Sequence, residues 1–239
     1  MGGSTWRSWL VRQAAGSYRA CGSSAFYFAR AKLRHDPFYS LVLTRSLIPA
    51  GARILDLGCG QALLATWLAA AQHCHRAGHW DHSWPAPGPI ASYRGIDRDP
   101  SEIHRARQAL GDAADLEVGD ICGAQLHGAT VIVLLDVLHY LDFAAQRRLL
   151  SEVRAALPAD GLLLLRVGDN ADGLRARVSG WVDSLVLRLR GYGNSRLHRR
   201  SLAAWLLLLG EAGFTVQEVA RQHSLAYSNC VLRALPRPR

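Results

Sequence analysis

The sequence predicts an α/β fold with a doubly wound, seven-stranded and mostly parallel sheet. Short apolar segments alternate with helical patterns along most of the chain, as in parallel strands joined by helical crossovers. Residues 131–135, V-I-V-L-L, form an unbroken apolar run that is typical of a strand buried on both faces. The last two apolar segments, 216–220 and 230–234, are too close for a helical crossover. The last strand is therefore predicted to be antiparallel.

The individual elements follow from apolar patterning and from residues that begin or end helices. Seven strands are predicted, at residues 54–57, 93–96, 116–118, 131–135, 162–167, 216–220 and 230–234. Helices are predicted at residues 62–75, 100–110, 143–157 and 201–212. Pro100 at a helix start and Gly213 after a helix end support two of these limits. A further amphipathic helix is predicted at 174–189, with Trp181 on its apolar side.

The chain of 239 residues is long enough for one well-buried domain with an appendage. Residues 1–48 are predicted to form an N-terminal helical cap, because aromatic and aliphatic positions alternate there with arginines. This cap either covers a ligand or only protects a sheet edge. The sheet domain is predicted at 49–235, with insertions at 76–91 and 170–200. The first insertion contains three prolines and is predicted to have no helix or strand, and residues 236–239 are predicted to be a tail.

Composition limits the partners and the compartment. The net charge of +9 favours an acidic partner, which is a nucleic acid, an anionic lipid or an acidic carrier protein. Five cysteines without a C-x-x-C pair do not form a disulfide framework, so a reducing, cytoplasmic location is expected. No apolar run approaches the roughly 18 to 20 residues of a membrane span.

A glycine turn after the first strand predicts a ligand site. In R-I-L-D-L-G-C-G-Q-A-L-L, residues 53–64, Gly58 and Gly60 allow a close approach of the backbone to a ligand. The amides of the following helix would face an anionic or polar group, and Asp56 adds a carboxylate. A nucleoside with a charged tail fits this pattern. The dinucleotide fingerprint G-x-G-x-x-G fails, because Leu63 stands at its last glycine.

Four motifs together resemble the class I S-adenosylmethionine-dependent methyltransferase family. They are D-L-G-C-G-Q-A from Asp56, G-I-D-R-D around Asp97, G-D-I around Asp120, and D-V-L-H-Y-L from Asp136. They occur in the family's order and spacing within residues 45–235. One departure is Ala62, where the family often has a third glycine. The resemblance implies a Rossmann-like fold and S-adenosyl-L-methionine as the cofactor.

The resemblance also implies which residues bind the cofactor. Asp97 would accept both ribose hydroxyls, Asp120 the adenine amino group, and the Ile121 amide a ring nitrogen. Either Asp56 or Asp136 would contact the turn amides or the cofactor's amino group. The full predicted set is Lys32, Asp56, Gly58, Cys59, Gly60, Asp97, Arg98, Asp120, Ile121 and Asp136.

Lys32, the single lysine, lies in the cap segment A-R-A-K-L-R-H-D-P. We expect it, or Arg30, to pair with the cofactor carboxylate. No metal site is predicted, because the spacing of the histidines and the cysteine between residues 73 and 82 matches no standard structural site. A surface histidine cluster is favoured instead.

Candidate catalytic residues follow the fourth strand. A hydroxyl acceptor needs a base to take its proton, and His139 is placed for this role with Tyr140 beside it. Asp169 and His198 are weaker candidates. The choice between O- and C-methylation stays open, because an acidic acceptor needs no protein base.

The whole pattern is similar to bacterial methyltransferases of aryl polyene and xanthomonadin-type pigment pathways. It includes A-K-L-R-H-D-P, L-L-D-V-L-H-Y and L-R-V-G-D-N-A-D-G-L-R-A-R-V-S-G-W-V-D. This likeness implies a small aromatic acceptor, free or tethered to an acidic acyl carrier protein, in secondary metabolism. Trp181 and the N-terminal aromatic residues would wall the aryl site.

Two alternatives remain. A basic surface also suits an RNA methyltransferase, but the sequence has no separate binding module and no lysine-rich strip, so nucleic acid is not favoured. The other alternative is a catalytically silent member of the fold that only binds a partner. The presence of Asp97 and Asp120 argues against it.

Overall fold

The computed structural model describes residues 3–169, 197–223 and 228–238 of the chain. Its seven strands are β1 Ala52–Leu57, β2 Ile90–Asp97, β3 Asp115–Val118, β4 Val131–Leu135, β5 Leu162–Gly168, β6 Phe214–His223 and β7 Ser228–Pro236. They form one sheet in the order β3-β2-β1-β4-β5-β7-β6. Parallel pairing joins β1, β2 and β3, whereas β7 is antiparallel to both of its neighbours. The predicted fold class is confirmed.

The described helices are α1 Gly3–Gly16, α2 Ser23–His35, α3 Pro37–Thr44, α4 Leu63–Arg76, α5 Pro100–Leu110, α6 Phe143–Ala156 and α7 Leu202–Glu211. Side-chain caps begin several of them. Asp36 accepts from the Phe38 amide at α3, and Asp142 accepts from the Ala145 amide at α6. The predicted helix at 174–189, with Trp181, lies outside the described residues.

The chain divides into two compact units. The first comprises Met1–Gln125 with Ala129–Val131, and the second comprises Leu126–Gly128 with Ile132–Arg239. The first unit contains α1 to α5, β1, β2 and β3. The second contains β5, β6, β7, α6, α7 and nearly all of β4. The predicted boundary of the cap at residue 48 stays a prediction.

Within the first unit, the predicted cap consists of three helices. Helix α1 packs against α2 and α4. The indole of Trp67, buried on α4, donates to the Tyr39 carbonyl of α3 at 2.8 Å. A buried indole N–H requires such an acceptor, so this bond ties α3 to the body of the unit.

Residues 77–89 contain no helix or strand, as the prolines predicted, yet this segment is packed in place. Trp6 of α1 contacts Trp80 and Trp84, with ring centroids 5.2 and 4.7 Å apart. Gln72 of α4 donates to the Gly88 carbonyl at 2.9 Å. Strand β2 then begins at Ile90, three residues before the predicted start.

Within the second unit, β5 contains one charged residue in an otherwise apolar buried strand. Arg166 is 4% exposed, and its neighbours from Leu162 to Leu165 are all buried. A buried guanidinium requires a partner. Its partner lies at the end of β4, in the candidate site.

Candidate active site

The glycine turn lies directly beside the end of β2. The amides of Gly58 and Cys59 both donate to the Ile96 carbonyl, at 2.8 and 3.1 Å. Gly58 has φ of 82° and Gly60 has φ of 54°, which is the left-handed region that glycine enters without steric cost. Ala62 adopts the same region with φ of 55°, so α4 begins at Leu63, one residue later than predicted.

Asp97 connects this turn to the end of β2. Its Oδ2 accepts from the Gly60 amide at 2.8 Å, and its Oδ1 accepts from the Asp99 amide at 2.9 Å. Each carboxylate oxygen has two lone pairs, so both can accept a further hydrogen bond. Arg98, next to it, is exposed.

The third motif is adjacent to Asp97. The Gly119 amide donates to the Asp97 carbonyl at 3.0 Å. Asp120 is exposed, and its Oδ1 accepts from the Cys122 amide at 2.9 Å at the start of a short 3-10 helix, Ile121–Gly123. The Ile121 side chain is buried. The structure thus brings the first three predicted motifs together within the first unit.

Asp56 is a buried carboxyl group beneath the glycine turn. Its Oδ2 accepts from the hydroxyl of Tyr93, and its Oδ1 has no hydrogen-bond partner among the described residues. Burial raises the pKa of Asp56 to about 7. The Tyr93 hydrogen bond opposes this shift, and the charge of Asp97 adds to it.

Cys59 packs against the backbone of β2 and is not an exposed nucleophile. A Cβ added at Gly95 would lie 2.8 Å from Cys59 Sγ, so only glycine leaves room for this thiol. Burial, followed by the charges of Asp56 and Asp97, raises the pKa of the Cys59 thiol well above its ordinary value. Cys59 therefore remains a neutral thiol at physiological pH.

A hydrogen bond between Tyr18 and Gln61, two residues not among the predicted site residues, joins the cap to the glycine turn. The hydroxyl of Tyr18, a fully buried residue between α1 and α2, donates to the Gln61 carbonyl at 2.6 Å. It also lies 3.4 Å from Thr66 Oγ1. The Gln61 side chain is buried, and its Oε1 has no partner among the described residues. The cap thus reaches the glycine turn through Tyr18.

Lys32 lies on α2 and forms an ion pair with Asp36, with 3.0 Å between Nζ and Oδ2. Asp36 is also the N-cap of α3. This pairing fixes the junction of two cap helices. The predicted role of Lys32 toward the cofactor carboxylate stays a prediction.

In the second unit, Asp136 is bound by Arg166. Arg166 Nε donates to Asp136 Oδ1 at 2.8 Å, and Nη2 donates to Oδ2 in a bidentate pair. Asp136 has φ of 55°, which is strained for a residue with a side chain. Its amide donates to the Arg166 carbonyl at 3.2 Å. Arg166 therefore determines where the predicted Asp136 lies.

His139 and Tyr140 lie in a short 3-10 helix, Leu138–Tyr140, with ring centroids 4.2 Å apart. Gln146 of α6, fully buried, holds this helix by donating to the carbonyls of Leu138 and Leu141, both at 3.0 Å. The same Nε2 also lies 2.8 Å from the His198 carbonyl, so its two N–H groups are shared among three carbonyls.

The two weaker catalytic candidates have structural contacts in this unit. His198 donates its amide to the His139 carbonyl at 2.8 Å. Asp169 accepts from the Leu202 amide at 3.0 Å, at the start of α7. His198 therefore lies next to His139, whereas Asp169 binds the first amide of α7, the helix whose N-cap is Ser201.

Among residues 3–169, 197–223 and 228–238, no group of three or more histidine, cysteine or acidic side chains is arranged to hold a metal ion. His73 and His79 contact the Trp9 ring. His75 and His82 line a shallow cavity of about 170 Å³ in the first insertion. In the same ranges, no helix has the length and apolar character that crossing a bilayer would require.

The fold and the three adjoining motifs define an α/β methyltransferase. A model of the methyltransferase domain matches residues 28–219, and the chain belongs to this family. It is an S-adenosylmethionine-dependent methyltransferase, as the four motifs predicted. A comparison with curated proteins finds no match.

Solved structures share the fold at low sequence identity. Magnesium protoporphyrin IX methyltransferase from Synechocystis, with bound S-adenosylhomocysteine, is 17% identical with a TM-score of 0.58, over 90% of this chain and 88% of that one. The YcgJ protein of Bacillus subtilis is 14% identical with a TM-score of 0.61, over 86% and 100%.

A third similar structure is an O-methyltransferase from neocarzinostatin biosynthesis, in complex with S-adenosylmethionine and 2-hydroxy-5-methyl naphthoic acid. It is 19% identical with a TM-score of 0.55, over 89% of this chain and 57% of that one. At these identities the likeness shows the fold.

The residues that sequence reasoning missed carried weak local signals. Arg166 was detectable as the one charge in the run L-L-L-L-R-V, since a charge in a buried strand needs a partner. Tyr18, Gln61, Tyr93 and Gln146 are polar residues whose partners are distant in sequence. Only the tertiary structure shows their contacts.

Proposed function

We propose that this methyltransferase transfers a methyl group to a small aromatic acceptor with a phenolic or aryl head group, in secondary metabolism. The observation that carries the proposal is the set of rings after β4. His139 and Tyr140 lie 4.2 Å apart, and Phe143 lies 5.3 Å from His198. Tyr140 and Phe143 are both exposed, and exposed rings offer a stacking surface for a planar acceptor.

The first unit has the acceptor atoms that S-adenosylmethionine requires. The cofactor has an ammonium group and two ribose hydroxyls, all of which are donors. Asp56 Oδ1 and Gln61 Oε1 are buried acceptors without a donor among the described residues, and a buried acceptor left unpaired costs about 1 to 3 kcal/mol. We assign the ammonium to Asp56 and Gln61, and the ribose hydroxyls to Asp97. Asp120 would accept from the adenine amino group.

Other predicted residues complete this assignment. Gly58, Cys59 and Gly60 present backbone to the methionine part, because the left-handed glycines expose the chain there. The Ile121 amide would meet the adenine ring, beside Arg98 and Asp97. Lys32 remains the proposed partner of the cofactor carboxylate, and Asp136 is held by Arg166 at the end of β4.

The reaction requires one proton to leave the acceptor. When bound, S-adenosylmethionine would supply an electrophilic methyl group on a sulfonium and would leave as S-adenosylhomocysteine. A new bond forms between the acceptor oxygen and the methyl carbon while the sulfur–carbon bond breaks. His139 takes the phenolic proton, and Tyr140 beside it orients the acceptor. Gln146 keeps His139 in place through the two carbonyl contacts of the 3-10 helix.

The experiment is a transfer assay with methyl-labelled S-adenosylmethionine and a panel of phenolic acids, each free and bound to an acyl carrier protein. We expect labelled aromatic product and S-adenosylhomocysteine in equal amounts. His139→Ala should lower kcat by about 10²-fold or more, with unchanged affinity for S-adenosylhomocysteine.

Two controls separate the alternatives. Total RNA in the same assay tests for an RNA methyltransferase, and label found only in RNA would exclude the aromatic acceptor. Calorimetry with S-adenosylhomocysteine tests for a silent fold member, because such a protein would show no binding. The basic net charge of +9 supports attraction of an acidic carrier protein, which the carrier-bound arm measures directly.

A further inference from the structure

An aromatic surface and one arginine meet in the second unit. We call His139, Tyr140, Phe143 and His198 the aromatic shelf. Tyr140 is 45% exposed and Phe143 is 49% exposed, which is a large exposed fraction for aromatic side chains. The His198 amide bonds the His139 carbonyl, so the shelf is continuous with the proposed base.

Arg200 lies against this shelf. Its guanidinium carbon is 4.5 Å from the Phe143 ring centroid and 5.7 Å from that of Trp205. Nε donates to Gln146 Oε1 at 2.7 Å, and Nη2 lies 3.5 Å from the Phe143 carbonyl. These contacts hold the guanidinium in one orientation, because a ring packs on its face and a buried amide binds one edge.

All of these partners of Arg200 are electrically neutral. Within the part of the chain that the structure describes, Arg200 forms no salt bridge, whereas nearby Arg147 pairs with Glu211 at 2.6 Å. Burial lowers the pKa of Arg200, the Arg147 charge adds to that, and Glu211 opposes it. Among the described residues, Arg200 therefore has no carboxylate within salt-bridge distance, and Glu211, whose charge reaches it, is paired with Arg147.

If Arg200 had only a structural role, its hydrogen bonds to Gln146 and Phe143 would be sufficient, and its positive charge would have no function. A guanidinium has five N–H donors, and the contacts above engage only Nε and one N–H of Nη2. Nη1 makes no hydrogen bond to the described residues. One N–H of Nη1 and the remaining N–H of Nη2 can donate to the two oxygens of a carboxylate in the usual bidentate manner.

We propose that Arg200 and the aromatic shelf form the acceptor site, and that the acceptor is a free aromatic carboxylic acid. The carboxylate binds Arg200, and the ring stacks on Phe143 or Tyr140 beside His139. This inference rests on the proposed function and deepens it, because it selects the free acid over a carrier-bound thioester. A thioester has no carboxylate to offer Arg200.

The test compares matched ligands on protein loaded with S-adenosylhomocysteine. Binding of 4-hydroxybenzoate, 4-hydroxybenzamide and 4-hydroxybenzoyl phosphopantetheine is measured by calorimetry, and 1-hydroxy-2-naphthoate is compared with its amide. We expect each acid to bind at least about tenfold more tightly than its amide, since a hydrogen bond to a charged group is stronger than a neutral one.

The variants assign this preference to Arg200. Arg200→Met should abolish the preference for the acid, and Arg200→Lys should retain part of it. Arg148→Met removes an exposed arginine from α6 of the same unit and should leave the preference unchanged. Thermal melting and S-adenosylhomocysteine affinity check that each variant is folded. If Arg200→Met does not fold, Arg200→Lys and the comparison of acids with amides on the wild type still test the inference.

Three results would overturn the inference. The wild type shows equal affinity for acid and amide, Arg200→Met keeps the preference for the acid, or the phosphopantetheine thioester alone binds in a manner that depends on Arg200. The last result would indicate that Arg200 binds the phosphate of phosphopantetheine and not a carboxylate of the acceptor. Failure of the proposed function has a different signature, because the acids would bind through Arg200 but would not be methylated in the transfer assay.

Discussion

Tyr18→Phe tests whether the cap is bonded to the glycine turn. The substitution removes one hydroxyl and keeps the ring, so packing is preserved and only the 2.6 Å bond to the Gln61 carbonyl is lost. That carbonyl is buried beneath a fully buried ring, and water cannot replace the lost donor without rearrangement. An unsatisfied buried acceptor costs about 1 to 3 kcal/mol.

We expect the free energy of unfolding to fall by about 1 to 2 kcal/mol, which corresponds to a melting temperature lowered by about 2 to 8 °C for a chain of this size. The weak contact with Thr66 Oγ1 at 3.4 Å adds little. We also expect weaker binding of S-adenosylhomocysteine, because the Gln61 peptide adjoins the left-handed Ala62 at the turn. Urea denaturation and calorimetry measure the two effects.

Tyr27→Phe is the matched control. Tyr27 lies in the same unit and is 62% exposed, so removing its hydroxyl leaves no buried group unpaired. If Tyr18→Phe changes stability and affinity no more than Tyr27→Phe does, the bond to the turn contributes nothing and the reasoning is refuted.

Three further predictions concern buried groups. The pKa of Asp56 is raised from 3.8 to about 7, so the folded state without cofactor binds more protons than the unfolded state between these values. Its contribution to stability therefore falls as pH rises from 4 to 7, and Asp56→Asn should remove that slope from urea titrations. Arg166→Met should lower stability by about 1.5 to 3 kcal/mol, because it removes the charge-assisted hydrogen bonds to a partly exposed Asp136. Gly95→Ala should cost about 1 to 3 kcal/mol by clashing with Cys59 Sγ and Leu116 Cδ2.

Each of these predictions has a decisive comparison. Identical pH slopes for wild type and Asp56→Asn would show that this carboxyl group has an ordinary pKa. Arg166→Lys keeps a charge and should lose less stability than Arg166→Met, and equal losses would contradict an ion-pair effect. Cys59→Ala should relieve part of the clash in Gly95→Ala, because the added Cβ would still lie 2.9 Å from Leu116 Cδ2. A double variant no more stable than Gly95→Ala alone would show that Cys59 Sγ is not the source of the strain.

The sequence predicted the order of the seven strands along the chain because alternating apolar segments are a local signal. It predicted the antiparallel last strand from the short connection before it. It was less accurate at element limits. Strand β2 begins at Ile90 because the packed insertion before it allows Ile90 to pair with Ala52. No local sequence pattern predicts this contact. Helix α4 begins after Ala62 because the backbone there is left-handed.

For the site, the sequence by itself determined the residue types at the ends of β1, β2 and β4 and after β3. Parallel strands bring their carboxyl ends to one edge, so Asp56, Asp97 and Asp120 were predictable from motif and strand position alone. Their residue types and their places at or after the strand ends are properties of the local sequence.

Only the tertiary structure decided which groups support those residues. The partners of Asp56 and Asp136, Tyr93 and Arg166, lie 37 and 30 positions away along the chain. Arg200 acquires its place beside Phe143 only when residues 198–200 pack on α6. Burial determines whether such polar groups are paired, charged or left for a ligand, and burial is a property of the folded chain rather than of any local segment.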